Sequence, residues 1–155
     1  MPETRQALID GVGRAMQAYQ RSTQLFDDEV GRVLGVNPAD LRCLDWLSEG
    51  PMSAARLAAA TGLSAAATTA MIDRLERKGF VRRRRGDGDR RHVFVELTDA
   101  AQQRIGALYG PLVAEGVPLL SSFSREQLAV MRDQLAGMRE LTDRHRERLR
   151  SMDAG

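Results

Sequence analysis

The stretch from residue 53 to residue 97 places two helix signals and two strand signals in immediate succession. Ser53 and Ser64 each precede an alanine-rich run and can cap its first turn, and Gly62 lies in the short turn between the two runs. β-forming residues then stand on both sides of the turn sequence Gly86-Asp87-Gly88-Asp89. The predicted helices are 53–60 and 64–78, and the predicted strands are 80–85 and 92–97.

Two helices joined by a tight turn form a helix-turn-helix, and a β-hairpin that follows directly makes a winged helix. An αα-hairpin without a nucleic-acid role would give the same two-helix pattern, so the helices alone leave both interpretations open. The hairpin favours the winged helix.

Long amphipathic helices flank this segment. Asn37-Pro38 starts a second helix as cap and first residue, Thr98 caps a helix that runs to about Leu120, and Ser124-Arg-Glu-Gln127 is a capping box for a last helix. The first helix, over roughly residues 4–34, is indicated by apolar residues at helical spacing: Leu8, Val12, Met16, Tyr19, Phe26, Val30 and Val33. The expected fold is mainly α with a small β-hairpin wing, in the order α-α-α-α-β-β-α-α.

The predicted organisation is one structural unit with two parts. Residues 37–98 form the winged helix-turn-helix, and residues 1–36 and 99–155 form a helical dimerisation region. Helices of this length cannot bury their apolar stripes on a core of about sixty residues, which favours a twofold partner. A monomer with a folded-back helical hairpin is the alternative.

The composition excludes several classes of protein. The chain has 155 residues, of which 43% are apolar and 28% charged, as in an ordinary globular domain. Its one cysteine excludes an internal disulfide, and no apolar run approaches the ~20 residues that span a bilayer. With two histidines that are not at metal-ligand spacing, no metal, no cofactor and no enzymatic activity are expected. We expect a cytoplasmic protein without a membrane partner.

Positive charge is concentrated in one segment. Between Arg74 and Arg91 the chain has nine basic residues and three acidic ones, although its net charge is only +2. A charged sheet edge that prevents aggregation would account for Arg82 to Arg85. The number of charges of one sign instead favours an anionic partner, and double-stranded DNA is the best candidate.

In a helix-turn-helix, the start of the second helix reaches base edges in the major groove. Arg74 can reach DNA or pair within its own helix. Arg91 fits a narrow minor groove, and Asp89 can brace it through a charge-assisted hydrogen bond. The predicted DNA-binding residues are Ser64, Ala65, Ala66, Thr68, Thr69, Arg74, Arg84, Arg85, Asp89, Arg90 and Arg91.

Two stretches carry a family resemblance. DGDRRHVFVELT (87–98) resembles the wing of MarR-type (multiple antibiotic resistance) regulators, and IDRLERKGFVRR (72–83) resembles the end of their recognition helix with the first wing strand. The resemblance implies a homodimer joined by its terminal helices that binds a pseudo-palindromic operator. It also implies that Arg91 enters the minor groove, that Thr68 and Thr69 lie in the major-groove helix, and that Arg74 contacts DNA.

The resemblance further implies a repressor that is released by a small phenolic or anionic effector. Tyr19, Trp46 and Tyr109 are candidates for the effector pocket, although each is also a candidate core residue. Some relatives sense oxidants through a cysteine near the start of the first helix, where this chain has none. Cys43 lies in the second helix instead. An oxidant sensor that acts through Cys43 and a winged-helix protein-interaction module remain as alternatives.

Overall fold

The computed structural model describes residues 3–86 and 93–152. Its elements follow the predicted order with one additional short strand. They are α1 (Arg5–Leu34), α2 (Pro38–Ser48), β1 (Met52–Ser53), α3 (Ala54–Thr61), α4 (Ala65–Arg77), β2 (Val81–Arg85), β3 (Val93–Leu97), α5 (Asp99–Leu120) and α6 (Arg125–Met152). No helix in the described part of the chain is long and apolar enough to cross a membrane.

The chain divides after Leu108 into two compact units. The first contains everything from α1 to the start of α5. The second contains the rest of α5 and α6, and α6 begins with the predicted capping box: the Gln127 side chain accepts from the Ser124 amide at 2.8 Å, and Ser124 Oγ accepts from the Gln127 amide at 3.2 Å.

The predicted caps of the first unit are confirmed. Asn37 Oδ1 accepts from the Asp40 amide at 2.8 Å, with Pro38 as the first residue of α2. Ser53 and Ser64 cap α3 and α4 in the same way, each at 3.2 Å. Such bonds satisfy amides that have no partner within the helix, so each helix start is determined locally.

The core of the first unit lies between α2, α3, α4 and the sheet. Its largest fully buried side chains include Leu44, Leu57, Ile72, Leu75 and Val95. α4 turns its Met71, Ile72 and Leu75 side inward, so the opposite side of the helix faces solvent along its length.

The sheet has three antiparallel strands in the order β1-β3-β2. The hairpin strands pair in the register Val81 opposite Leu97 and Arg82 opposite Glu96. Strand β1 was not predicted, because two residues carry no alternating pattern; Met52 pairs with Val95. This pairing joins the start of α3 to the hairpin.

Candidate nucleic-acid interface

The start of α4 forms an exposed surface of small side chains. Ser64, Ala65, Ala66 and Thr69 are exposed. Both exposed hydroxyl groups bond to the backbone of their own helix: Ser64 Oγ accepts from the Ala67 amide at 3.2 Å, and Thr69 Oγ1 donates to the Ala65 carbonyl at 3.0 Å. The surface therefore offers methyl groups and the positive end of the helix dipole.

Thr68 does not belong to this surface, and its prediction as a DNA-contacting residue is corrected. Only 1% of Thr68 is exposed, and its hydroxyl donates to the Ser64 carbonyl at 2.9 Å. The residue lies three, four and seven positions before Met71, Ile72 and Leu75, which places it on the same buried face. That spacing was present in the sequence and could have identified Thr68 as an inner residue.

Arg74 has a partner that was not predicted. Its Nε donates to Asp40 Oδ2 at 3.0 Å, and its Nη2 donates to the other carboxylate oxygen. Asp40 is fully buried in the first turn of α2, whereas 36% of the Arg74 side chain is exposed. The hydrogen bond to Asp40 raises the pKa of the Arg74 guanidinium. DNA and an intrahelical neighbour were the two predicted partners of Arg74, and Asp40 is neither.

Lys78, one turn after Arg74, donates from Nζ to the carbonyl of Gly35 at 2.7 Å. Gly35 caps the end of α1 in the left-handed conformation, with φ at 71°. The end of α4 is thereby bonded to the end of α1.

The arginines of β2 alternate between two sets of carboxylates. Arg82 and Arg84 lie on the face of Glu96 and donate to its two oxygens at 2.8 and 3.1 Å. These bonds, that of Arg82 first, lower the pKa of Glu96. The single carboxylate of β3 thus offsets one of the four positive charges of β2, a role that neither explanation of the arginine run included.

Arg83 points to the other face of the strand, where it contacts α4. Its guanidinium donates to Asp73 and Glu76, and its amide donates to Glu76 Oε1 at 3.3 Å. The hydrogen bond to Asp73 raises the pKa of the Arg83 guanidinium. These contacts tie β2 to α4.

Arg85, at the end of β2, is exposed, and no ion pair is found for it among the described residues. The other predicted hairpin residues, Asp89, Arg90 and Arg91, lie outside the described residues. The candidate interface consists of the start of α4 and Arg85, and the three residues beyond β2 stay predictions.

Cys43 is fully buried in α2. Desolvation, followed by the charge of Asp40, raises the pKa of its thiol to about 12. Since the reactive form of a cysteine is the thiolate, this environment argues against a redox role.

The three effector-pocket candidates are in different environments. Tyr19 on α1 is 72% exposed, which excludes it from the core of its own unit. Trp46 is half-buried in the first unit, and Tyr109 is half-buried in the second. The first unit contains a polar cavity of about 210 Å³ lined by Glu49, Arg82, Glu96 and Asp99 among others, and none of the three candidates lines it.

No group of three or more His, Cys, Asp or Glu residues that could hold a metal ion occurs within residues 3–86 and 93–152. The start of α4 and Arg85 offer methyl groups, hydroxyl groups and a guanidinium ion, which are groups that can contact nucleic acid.

Comparisons with known proteins identify relatives of the chain. Residues 34–92 match the model of the MarR family. The HTH-type transcriptional regulator YcgE of Bacillus subtilis is 34% identical over 140 residues, which cover 88% of this chain and 91% of YcgE. The HTH-type transcriptional repressor NicR of Pseudomonas putida is 31% identical over 107 residues, or 65% of each chain. A MarR family protein from Bacillus stearothermophilus has a similar fold, with a TM-score of 0.65 at 20% identity over 90% of this chain and 99% of that protein.

Proposed function

The chain belongs to the MarR family of winged-helix transcriptional regulators, and from that membership we propose that it binds double-stranded DNA as a homodimer at a pseudo-palindromic operator. The observation that carries the proposal is the exposed start of α4. Ser64, Ala65, Ala66 and Thr69 are exposed there, on the second helix of a helix-turn-helix.

Small side chains at this position support close approach to DNA. Methyl groups can contact the methyl group of thymine in the major groove, and the helix start can accept a phosphate at its positive end. The same surface would be unusual for a protein-interaction module, because it lacks the large aromatic side chains that dominate protein interfaces.

The hairpin supports a second contact with DNA. Arg85 ends β2 without an ion pair among the described residues, so its charge is available to a phosphate. Asp89, Arg90 and Arg91 follow in the sequence, and we propose that Arg91 enters the minor groove with Asp89 as its brace. Arg84 is a further candidate for a phosphate contact, although it already donates to Glu96.

The exposed apolar faces of the terminal helices support the homodimer. Val12 on α1 and Leu135 on α6 are 57% and 62% exposed within one chain, and each belongs to a series of such residues on its helix. Monomeric proteins rarely expose contiguous apolar surfaces of this kind, and a second copy would cover them. We propose a cytoplasmic location, because the proposed role is to bind DNA.

We also propose that the protein represses transcription and is released from DNA by a small effector. The support for this proposal is the similarity to NicR, whose name describes a transcriptional repressor. Tyr19, Trp46 and Tyr109 remain the candidates for an effector contact. The alternative of oxidant sensing has less support, since Cys43 is buried and its pKa is raised.

The test is selection of bound fragments from random duplexes by the purified protein, followed by sequencing. We expect one motif with twofold symmetry and half-sites about 10 base pairs apart, the repeat that places both recognition helices on one face of DNA. Affinity for that motif should fall roughly 10³-fold between 50 and 200 mM salt if about six phosphates are contacted.

Ala66→Glu supplies the matched variant, because it places a carboxylate on the exposed start of α4. It should abolish binding to the selected motif, whereas Ala100→Glu, the same change at an exposed position on α5, should retain it. Recovery of fragments without a shared motif would contradict the proposal and favour a module that binds an acidic protein.

A further inference from the structure

Within the described residues, Asp40 is the one charged side chain without exposed surface. A buried carboxylate is unfavourable unless it is paired and hydrogen-bonded. Asp40 meets this condition through Arg74, which lies 34 positions along the chain on α4 and donates to both carboxylate oxygens. The pair therefore links the first turn of α2 to the last turn of α4.

The apolar contacts of α4 are not directional. α4 packs through Met71, Ile72 and Leu75, and hydrophobic burial depends on area rather than on orientation. Apolar contacts of this kind restrain a small rotation of a helix about its axis less sharply than a directed hydrogen bond does. A two-point hydrogen bond from a planar guanidinium fixes orientation as well as distance.

We propose that Arg74 is a positioning residue: its ion pair with Asp40 fixes the rotation of α4 about its own axis, and Arg74 does not itself contact DNA. The pair thereby sets the direction in which Ser64, Ala66 and Thr69 face the major groove. This inference rests on the proposed function, in which α4 reads DNA. It also reverses the role that the family resemblance implies for Arg74.

The neighbouring charged residues of α4 agree with this assignment. Lys78 donates to Gly35 at the end of α1, and Asp73 and Glu76 accept from Arg83 of β2. Apart from Arg77, which donates to a carbonyl of its own helix, the charged side chains in the second half of α4 thus bond to the elements that surround the helix. The part that is free to meet a groove is its uncharged start.

The experiment compares specific with non-specific binding. Arg74→Lys keeps the positive charge but loses the two-point geometry, and Asp40→Asn keeps the shape of the side chain but loses its charge. Arg77→Lys is the matched control, because Arg77 is exposed on the same helix and its one bond to the described residues is to the Asp73 carbonyl, at 3.3 Å. Each variant is titrated with the motif selected by the wild type and with an unrelated duplex, over a series of salt concentrations.

A positioning role predicts that Arg74→Lys and Asp40→Asn each weaken binding to the motif about tenfold, the loss typical of one mismatched base contact. Binding to the unrelated duplex and the slope of affinity against salt should not change. The double variant should bind the motif as tightly as the single variant with the lower affinity, since both changes remove the same interaction. Arg77→Lys should behave as the wild type.

A direct contact between Arg74 and DNA would give a different result. If Arg74 contacts a phosphate, Arg74→Ala should reduce the salt slope by about one and weaken both duplexes equally. Asp40→Asn should then leave affinity unchanged or raise it, because it frees the guanidinium. Either finding overturns the inference, whereas a wild type without any preferred motif overturns the proposed function instead.

Thermal unfolding of each variant checks that the folded protein is being compared. Should Asp40→Asn not fold, the pair Asp40→Leu with Arg74→Met takes its place, since an apolar replacement of a whole buried ion pair is often tolerated. Loss of motif preference in that folded variant supports the positioning role, and retained preference contradicts it.

Discussion

Cys43 has no exposed surface, and its environment stabilises the protonated thiol. Burial, and then the charge of Asp40, raises the pKa from 9.0 to about 12. Sulfur reacts as the thiolate, so at neutral pH Cys43 acts as a small apolar packing group.

We expect iodoacetamide to modify Cys43 in the native protein much more slowly than it modifies free cysteine at the same pH. Both the low thiolate fraction and the lack of access act in this direction. Mass spectrometry after timed exposure measures the reaction, and the same exposure in denaturant is the control. Rapid modification of the folded protein would reopen the oxidant-sensing alternative.

Single residues also show which parts of the site could not be predicted from the sequence. The cap at Ser64 is a local signal, and it correctly predicted where α4 begins. Thr68 was assigned to the surface because it is polar, although a hydroxyl that bonds its own helix can be buried. Asp40 and Arg74 carry no local signal for each other, because only the packing of α2 against α4 brings them together.

At the scale of elements, β3 supplies the carboxylate that holds the hairpin strands together. Glu96 lies directly opposite Arg82 and diagonally opposite Arg84, and it accepts from both. Cross-strand pairs of opposite charge stabilise a sheet modestly. The alternating strand pattern was predictable, whereas β1 was not, because the pairing of its Met52 with Val95 needs β3 already in place.

The pKa of Glu96 predicts how the hairpin responds to acid. It is lowered from the ordinary 4.5, chiefly by Arg82. The ion pairs therefore contribute stability above pH 4.5, and this contribution is lost as the pH falls through the lowered pKa in the folded state. Glu96→Gln lacks this contribution at every pH.

We expect the difference in unfolding free energy between the wild type and Glu96→Gln to be largest near neutral pH and to shrink below pH 4.5. Urea denaturation at a series of pH values measures it. Glu140→Gln, at an exposed position on α6, is the control that should show little difference at any pH. A difference for Glu96→Gln that grows in acid would contradict the assignment.

At the scale of the molecule, the long helices were predicted well, but much of their apolar stripes is exposed within their own units. Val12 and Val33 of the predicted stripe of α1 are 57% and 52% exposed. Periodicity identifies the apolar face of a helix, and it does not tell whether the same chain or another one covers that face.

We expect Leu135→Glu to convert the proposed dimer to monomers. The side chain is 62% exposed within one chain, so a carboxylate there should not disturb folding, whereas burial of that charge between two copies would be costly. Light scattering coupled to size-exclusion chromatography measures the mass. Gln134→Glu adds the same charge at the adjacent exposed position and should stay dimeric if that side lies away from the partner. A monomeric wild type would contradict the dimer altogether.

The bond from Lys78 to Gly35 has a chemical consequence. Lys78 is the single lysine of the sequence, so an amine-reactive reagent finds one side chain to modify, at the junction of α1 and α4. Acylation would remove the ammonium charge and weaken that bond. A covalent probe or an acetyl group at this nitrogen would thus weaken, at one defined position, the connection between a terminal helix and the helix proposed to read DNA.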